Sequence, residues 1–153
     1  RHRLVIVGES GLPWWGLRAS GVIQVSSGAP FNVTIGRDEN LDGNLSERPE
    51  GTNRNSGKDA SLDAINALRE EEGLDPVGGL SEPSFVQVDL RAWKPFSYRD
   101  GKGAGEVYIQ VFNLLDRFNE GPIEGRVLAD GFGRAVGQVG PPRTIEFGLR
   151  MNF

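Results

Sequence analysis

The sequence predicts an all-β chain, an antiparallel arrangement of about five long strands. Three observations carry this. Five separate stretches alternate apolar and polar residues with period two. The chain holds 22 glycines in 153 residues and has few long apolar runs, a composition of strands and turns. The connections between the five stretches run short, long, short, long.

The first stretch is RHRLVIVGES. Leu4 and Ile6 share one face, Arg3 and Glu9 the other, and Val5 and Val7 blur the pattern. The second is LRASGVIQVSS, with Leu17, Ala19, Gly21, Ile23 and Val25 opposed to Arg18, Ser20, Gln24 and Ser26. In SFVQVDLRAWK, Val86, Val88, Leu90 and Ala92 oppose Gln87, Asp89 and Arg91. In EVYIQVFNLLD, Val107, Ile109 and Val111 oppose Glu106, Tyr108, Gln110 and Phe112. The last is TIEFGLRMNF, where Ile145, Phe147, Leu149, Met151 and Phe153 alternate with polar or small residues up to the end of the sequence. Each stretch has about ten residues, near the ~9–11 that carry a tilted strand across a bilayer. Ordinary globular strands peak at about 5–6 residues.

GLPWWG, 11–16, reads as a short turn, and so does PFSYRDGKGAG, 95–105, with Asp100-Gly101 as its signal. Residues 28–83 and 116–142 are long. Tight turns on one side and long loops on the other characterise an outer-membrane barrel, with tight turns periplasmic and long loops external. With the final Phe153 on the periplasmic side, both short turns fall there too. Trp14, Trp15, Trp93, Phe96, Tyr98 and Phe153 then gather near that rim as an interfacial aromatic girdle. The competing reading makes Trp14 and Trp15 ordinary hairpin-tip residues over a soluble core. Five strands cannot close a membrane barrel, whose smallest members have about eight. The sequence, which starts RHRLV without Met, therefore reads as an incomplete C-terminal part of a barrel over 1–153.

Composition narrows the chemistry. The absence of cysteine excludes disulfides and thiolate metal sites. A single histidine, His2, excludes a multi-histidine zinc site and weighs against histidine-based catalysis. No apolar run approaches the ~18 residues of a membrane helix. The net charge of −4 gives no support for a nucleic-acid partner, and residues 28–83 alone carry twelve acidic and five basic side chains. No pair of carboxylates and no nucleophile–base arrangement is evident, so no catalytic residue is assigned and the chain reads as non-enzymatic. GFGRAVG lacks the Gly-Lys-Ser/Thr of a phosphate loop and reads as a flexible external loop. Asp89 with Arg91, and Glu146 with Arg150, are candidates to line a polar lumen and contact a plug, or equally to form salt bridges within the wall.

DENLDGN carries the clearest site chemistry. Asp38, Asn40, Asp42 and Asn44 have the 1, 3, 5, 7 spacing of a calcium loop, Gly43 stands sixth and Ser46 ninth. The twelfth position is Pro49, so the bidentate glutamate is missing, and Glu47 and Glu50 have the wrong spacing to replace it. Two readings stay open: a weak Ca²⁺ site that stiffens an external loop, or an Asx-rich turn bonded to its own backbone. DASLDAINALREEEG, 59–73, predicts a short helix capped by Ser61, with Leu62, Ile65, Leu68 and Arg69 as one modest stripe and Gly73 as its stop.

TIEFGLRMNF resembles the C-terminal assembly signal of outer-membrane proteins, an alternating strand that ends on Phe. Most of the chain resembles TonB-dependent outer-membrane receptors, in the Oar-like branch whose plug follows a carboxypeptidase-regulatory-like domain. The matching residues are Ser27-Gly28-Ala29-Pro30-Phe31-Asn32, Asp38 through Asp42-Gly43-Asn44, Arg48-Pro49, Arg54-Asn55, and the run Phe112-Asn113-Leu114-Leu115-Asp116-Arg117-Phe118-Asn119. Residues 59–83 depart from the pattern as an insertion, and the TonB box and plug domain are not in this sequence. The resemblance implies location in the outer membrane with the long loops extracellular. It also implies assembly by the barrel-assembly machinery and TonB-energised uptake of a small-molecule, saccharide or peptide ligand through the plug. Two alternatives stand beside it. One is a small soluble calcium-binding β-sandwich of the carbohydrate-binding kind. The other is a barrel closed by self-association, for which an odd strand number is awkward.

Overall fold

The computed structural model describes residues 2–98, 100 and 103–152. The chain is all-β with little helix. One antiparallel sheet contains β1 (Arg3–Gly11), β2 (Arg18–Ser26), β3 (Phe85–Tyr98), β4 (Gly103–Phe112) and β5 (Thr144–Asn152), side by side in chain order. A single α-helix, α1 (Leu62–Glu71), and a three-residue 3₁₀ turn lie between β2 and β3. The chain divides into two compact units. The sheet unit comprises 2–26, 85–119 and 140–152, and the loop unit comprises 27–84 and 120–139.

In the sheet unit, the register aligns the apolar positions of all five strands on one face. Leu4 and Ile6 lie opposite Val25 and Ile23, which lie opposite Val86 and Val88. Leu90 and Ala92 face Val111 and Ile109, and these face Ile145 and Phe147. Directly opposed residues project to the same side, so period-two alternation in each strand becomes one apolar surface across the sheet, interrupted on β3 by Lys94 opposite Val107. The other side carries Arg3, Gln24, Gln87, Asp89, Arg91, Glu106, Gln110, Glu146 and Arg150, interrupted at β1 by Val5 and Val7. Among the described residues of this unit, no second layer packs on the sheet. On the apolar face Ile6 is 51% exposed and Leu90 44%, and on the edge strand β5 Phe147 is 79% exposed and Leu149 60%.

β3 is longer than its alternation suggests. Residues 95–98, expected in a turn, extend the strand to fourteen residues, and Pro95 pairs with Glu106. Proline lacks an N–H and is tolerated where a strand has an open side. The β2 pairing of β3 stops at Trp93, so Pro95 lies beyond it. Both short turns sit at one end of the sheet, and both long connections leave from the other. β1 and β5 each run from the long-connection end towards the short-turn end.

Two asparagines shape the long-connection end. Asn113, at φ 49°, follows β4 and is 1% exposed. Its N–H donates to Asp89 Oδ1 at 2.9 Å, and its amide donates to the carbonyls of Arg117 and Pro141 at 2.9 and 3.1 Å. Asn119 uses its side-chain amide as a substitute strand: Oδ1 accepts from the Val86 N–H and Nδ2 donates to the Val86 carbonyl, both at 2.9 Å.

The loop unit has little regular structure but a complete core. Val33, Ala60, Ile65, Val127 and Phe132 are buried together, with Phe31, Leu68, Val77, Leu80 and Leu128 packed against them. α1 forms where expected, with the Ser61 hydroxyl accepting from the Ala64 N–H at 3.3 Å and Gly73 at φ +70° just past its end. Residues 120–139, expected as a flexible loop, are tied down. Thr34 bridges Arg126, Glu120 bridges Gln138 and Ile123 bridges Ala135. The reason is hydrophobic: Val127 and Phe132 have core partners that the local Gly-rich sequence does not advertise.

Candidate functional site

The turn at 38–44 uses its side chains first on its own backbone. Asp38 accepts from the N–H groups of Asp42 and Gly43 at 3.1 and 2.8 Å. Asn40 Oδ1 accepts from the Asp42 N–H at 3.0 Å, and Asp42 Oδ1 accepts from the Asn44 N–H at 2.8 Å. Leu41 at φ 60° and Gly43 at φ 85° turn the chain sharply enough for this. The Asn44 N–H and then the Asn40 amide hold the Asp42 carboxyl below its ordinary pKa, because both stabilise the anion.

Three carboxylates converge here. Oxygens of Asp38, Asp42 and Glu47 lie within 4.8 Å of one another. The Ile35 N–H donates to the Glu47 carbonyl at 2.7 Å, and this rung brings Glu47 back beside the turn. Glu47 Oε2 is out of solvent and meets no donor among the described residues. The set is therefore Asp38, Asp42 and Glu47, positions one, five and ten, while Ser46 is exposed. Hard carboxylate oxygens at this separation suit Ca²⁺. Asn40 is turned inward on Asp42, which it also reaches through Nδ2 at 3.2 Å. Spacing alone excluded Glu47; only the chain's return to Ile35 makes it available. Arg37 joins the turn to the end of α1, pairing with Glu39 at 2.9 Å and Glu72 at 2.5 Å.

The terminal residues Ile145, Phe147, Leu149 and Met151 all fall on the apolar face; Phe153 lies outside the described residues, as do Gly101 and Lys102 of the second short turn. Trp14 and Trp15 form the tip of the first short turn, 63% and 82% exposed. The Leu12 N–H donates to the Leu17 carbonyl at 2.8 Å to close it. Phe96 and Tyr98 stand on the apolar face near the short-turn end, their ring centres 6.3 Å apart, and the Tyr98 hydroxyl donates to the Asn152 carbonyl at 2.7 Å. Trp93 belongs to the opposite, polar face. There the guanidinium groups of Arg18 and Arg91 lie 5.6 and 5.7 Å from its ring centre, and Arg91 lies 4.2 Å from that of Tyr108. Its parity with Gln87, Asp89 and Arg91 already carried that information.

Aromatic rings cover cross-strand glycines. Phe96 lies over Gly105, Tyr98 over Gly103 and Tyr108 over Gly148, so a Cβ at any of the three would strike a ring. Such pairs restore contact area that glycine lacks and pin register. The polar face is knit differently from the pairs suggested by sequence proximity. Arg91 pairs with Glu106 at 2.6 Å and Arg150 approaches the same carboxylate at 3.6 Å, while Asp89 accepts from Gln87 at 2.9 Å. Arg18 pairs with Glu9. No known family model, curated protein or solved structure matches the chain.

Proposed function

We propose that the chain is a wall portion of an outer-membrane β-barrel of the TonB-dependent receptor kind, with the loop unit as its external part. One observation carries the reading: a single-layered antiparallel sheet exposes an apolar face that spans all five strands, with Lys94 as its one charge among the described strand residues, and a charged, aromatic-stacked face on the other side. A soluble single-layered sheet has nothing to gain from such a face, whereas lipid covers it without a second layer. The segregation of short turns and long connections to opposite ends supports the same reading. The open sides of β1 and β5 would be taken by further strands of a longer polypeptide, since unpaired backbone is not tolerated in lipid. Ile145, Phe147, Leu149, Met151 and Phe153 serve in assembly. The function is ligand uptake rather than catalysis, with the plug, TonB and the barrel-assembly machinery as partners. Asp38, Asp42 and Glu47 hold Ca²⁺ and stiffen the external part.

A second reading, a soluble calcium-binding module, draws on the loop unit's own core and acidic turn. A sandwich needs a second sheet over the apolar face, and all five strands lie in one sheet. The deciding experiment is membrane partition and heat-modifiable mobility of the exported chain, with and without its upstream sequence. A folded, heat-shifted band in the outer membrane for the longer form alone is the expected result. A monomeric, cooperatively folded 153-residue chain in detergent-free solution would overturn the barrel reading.

A further inference from the structure

We propose that residues 59–83 act as a clamp that fuses the two long connections into one cooperative body, so that neither opens without the other. Outside this segment the two connections share only part of the core, Phe31 and Val33 with Val127, Leu128 and Phe132, and a few backbone hydrogen bonds. The Thr34 N–H donates to the Gly125 carbonyl at 2.9 Å, the Val127 N–H to the Thr34 carbonyl at 2.8 Å, and the Leu128 N–H to the Ile35 carbonyl at 3.2 Å.

The clamp adds a buried charge and half of a core. Arg69 is 5% exposed. Its Nε donates to the Asp75 carbonyl at 2.7 Å, and its Nη1 donates to the carbonyls of Val127 at 2.5 Å and Ala129 at 3.3 Å. The guanidinium also lies 5.7 Å from the ring centre of Phe132. None of the described ion pairs includes Arg69, so carbonyls contributed by both connections replace water around a full charge. A buried charge stripped of such partners is strongly unfavourable. Swinging 127–129 away would take two of the three carbonyl acceptors from Arg69 together. A partial opening that strips them before water enters is the costly state, which favours opening as a unit. Ile65, fully buried, closes the core from the same helix. Asn66 then holds the return of the segment, donating to the Val77 carbonyl at 3.1 Å and accepting from the Val77 N–H at 2.9 Å. Leu80 reaches Gly133 on the far connection, where an added Cβ would lie 2.9 Å from its side chain.

These contacts all lie within the loop unit, so the inference stands whether or not the sheet lies in a membrane. In a receptor, it means that a ligand touching either connection moves both. The test is backbone amide hydrogen exchange on the full chain. Ser61→Ala removes the α1 cap, which accepts a hydrogen bond from Ala64 in its own segment. Loss of a cap should speed exchange at the Ile65 amide about fivefold. The amides of Val127, Leu128 and Phe132 should accelerate by the same factor, while β3 and β4 stay unchanged. Arg69→Met should raise the same set by about a hundredfold or more, as for a buried charge network that loses its centre. Acceleration at Ile65 with Val127, Leu128 and Phe132 unchanged would overturn the proposal. Ser61→Ala keeps the test decisive if Arg69→Met does not fold.

Discussion

The two units solve opposite problems. The sheet unit has nearly all the regular secondary structure and exposes its best apolar residues; the loop unit has one short helix and buries Val33, Ile65 and Val127 completely. Hydrogen-bonded regularity and a hydrophobic core are thus separable. The strands satisfy most of their backbone with one another, the outer sides of β1 and β5 excepted, and leave an apolar face exposed. The connections satisfy less of their backbone in ladders and draw their order from side-chain burial and from Arg69.

The largest expected effect lies where burial is complete. Ile65→Ala should destabilise the loop unit by about 2–5 kcal/mol, the usual cost of a large-to-small change in a packed core. Chemical denaturation followed by a probe in that unit would read it, and a loss below ~1 kcal/mol would mean the core is not one. Phe147→Arg sharpens the contrast. On a lipid-covered face it should cost about 2–4 kcal/mol in bilayers, whereas at a water-exposed position it should change stability by no more than about 0.5 kcal/mol. Unfolding measured in vesicles separates the two. Asn119→Ala removes both hydrogen bonds to Val86 and should cost about 1–3 kcal/mol, appearing as faster amide exchange at the first residues of β3 with the short-turn end unaffected. In 10 mM Ca²⁺ the loop unit should gain about 1–3 kcal/mol if its affinity is that of a weak extracellular site. Asp42→Asn should abolish the gain, and equal stability with Ca²⁺ and with chelator would exclude the site.

The smallest effect is a pH dependence. Arg126 pairs with Glu124 at 2.7 Å, and its guanidinium, followed by its backbone N–H, lowers the Glu124 carboxyl from 4.5 to about 2. The folded carboxyl binds its proton more weakly than the unfolded one. Its contribution is therefore present above pH ~4.5 and is lost as pH falls towards ~2. Glu124→Gln should flatten that part of the melting curve against pH, and a parallel curve would show the pair to be without weight.

All five strands were legible because each carries its own alternation, and the register adds those alternations without conflict. The extra length of β3 was not, because Pro95 reads as a strand end unless one knows that β2 has already stopped pairing. Helix α1 followed from Ser61 and Gly73. The core of the loop unit was hidden: Val33, Val127 and Phe132 sit in Gly- and Asx-rich segments with no period, and they become a core only through contacts distant in sequence. The acidic turn was half legible. Asp38 and Asp42 announced themselves by spacing, whereas Glu47 joins them through a single rung to Ile35. Arg69 looked like part of an amphipathic stripe, and nothing local to its sequence points to the carbonyls of Val127 and Ala129.

The common direction of β1 and β5 gives the sheet a parity. Two copies standing the same way up would bring β5 of one against β1 of the next in parallel and break the alternation that runs through the sheet. An antiparallel join between copies requires turning one upside down, which sends its long connections to the opposite side. A closed barrel that contained this sheet and kept the alternation throughout would need an odd number of further strands, with the two that meet β1 and β5 running against them.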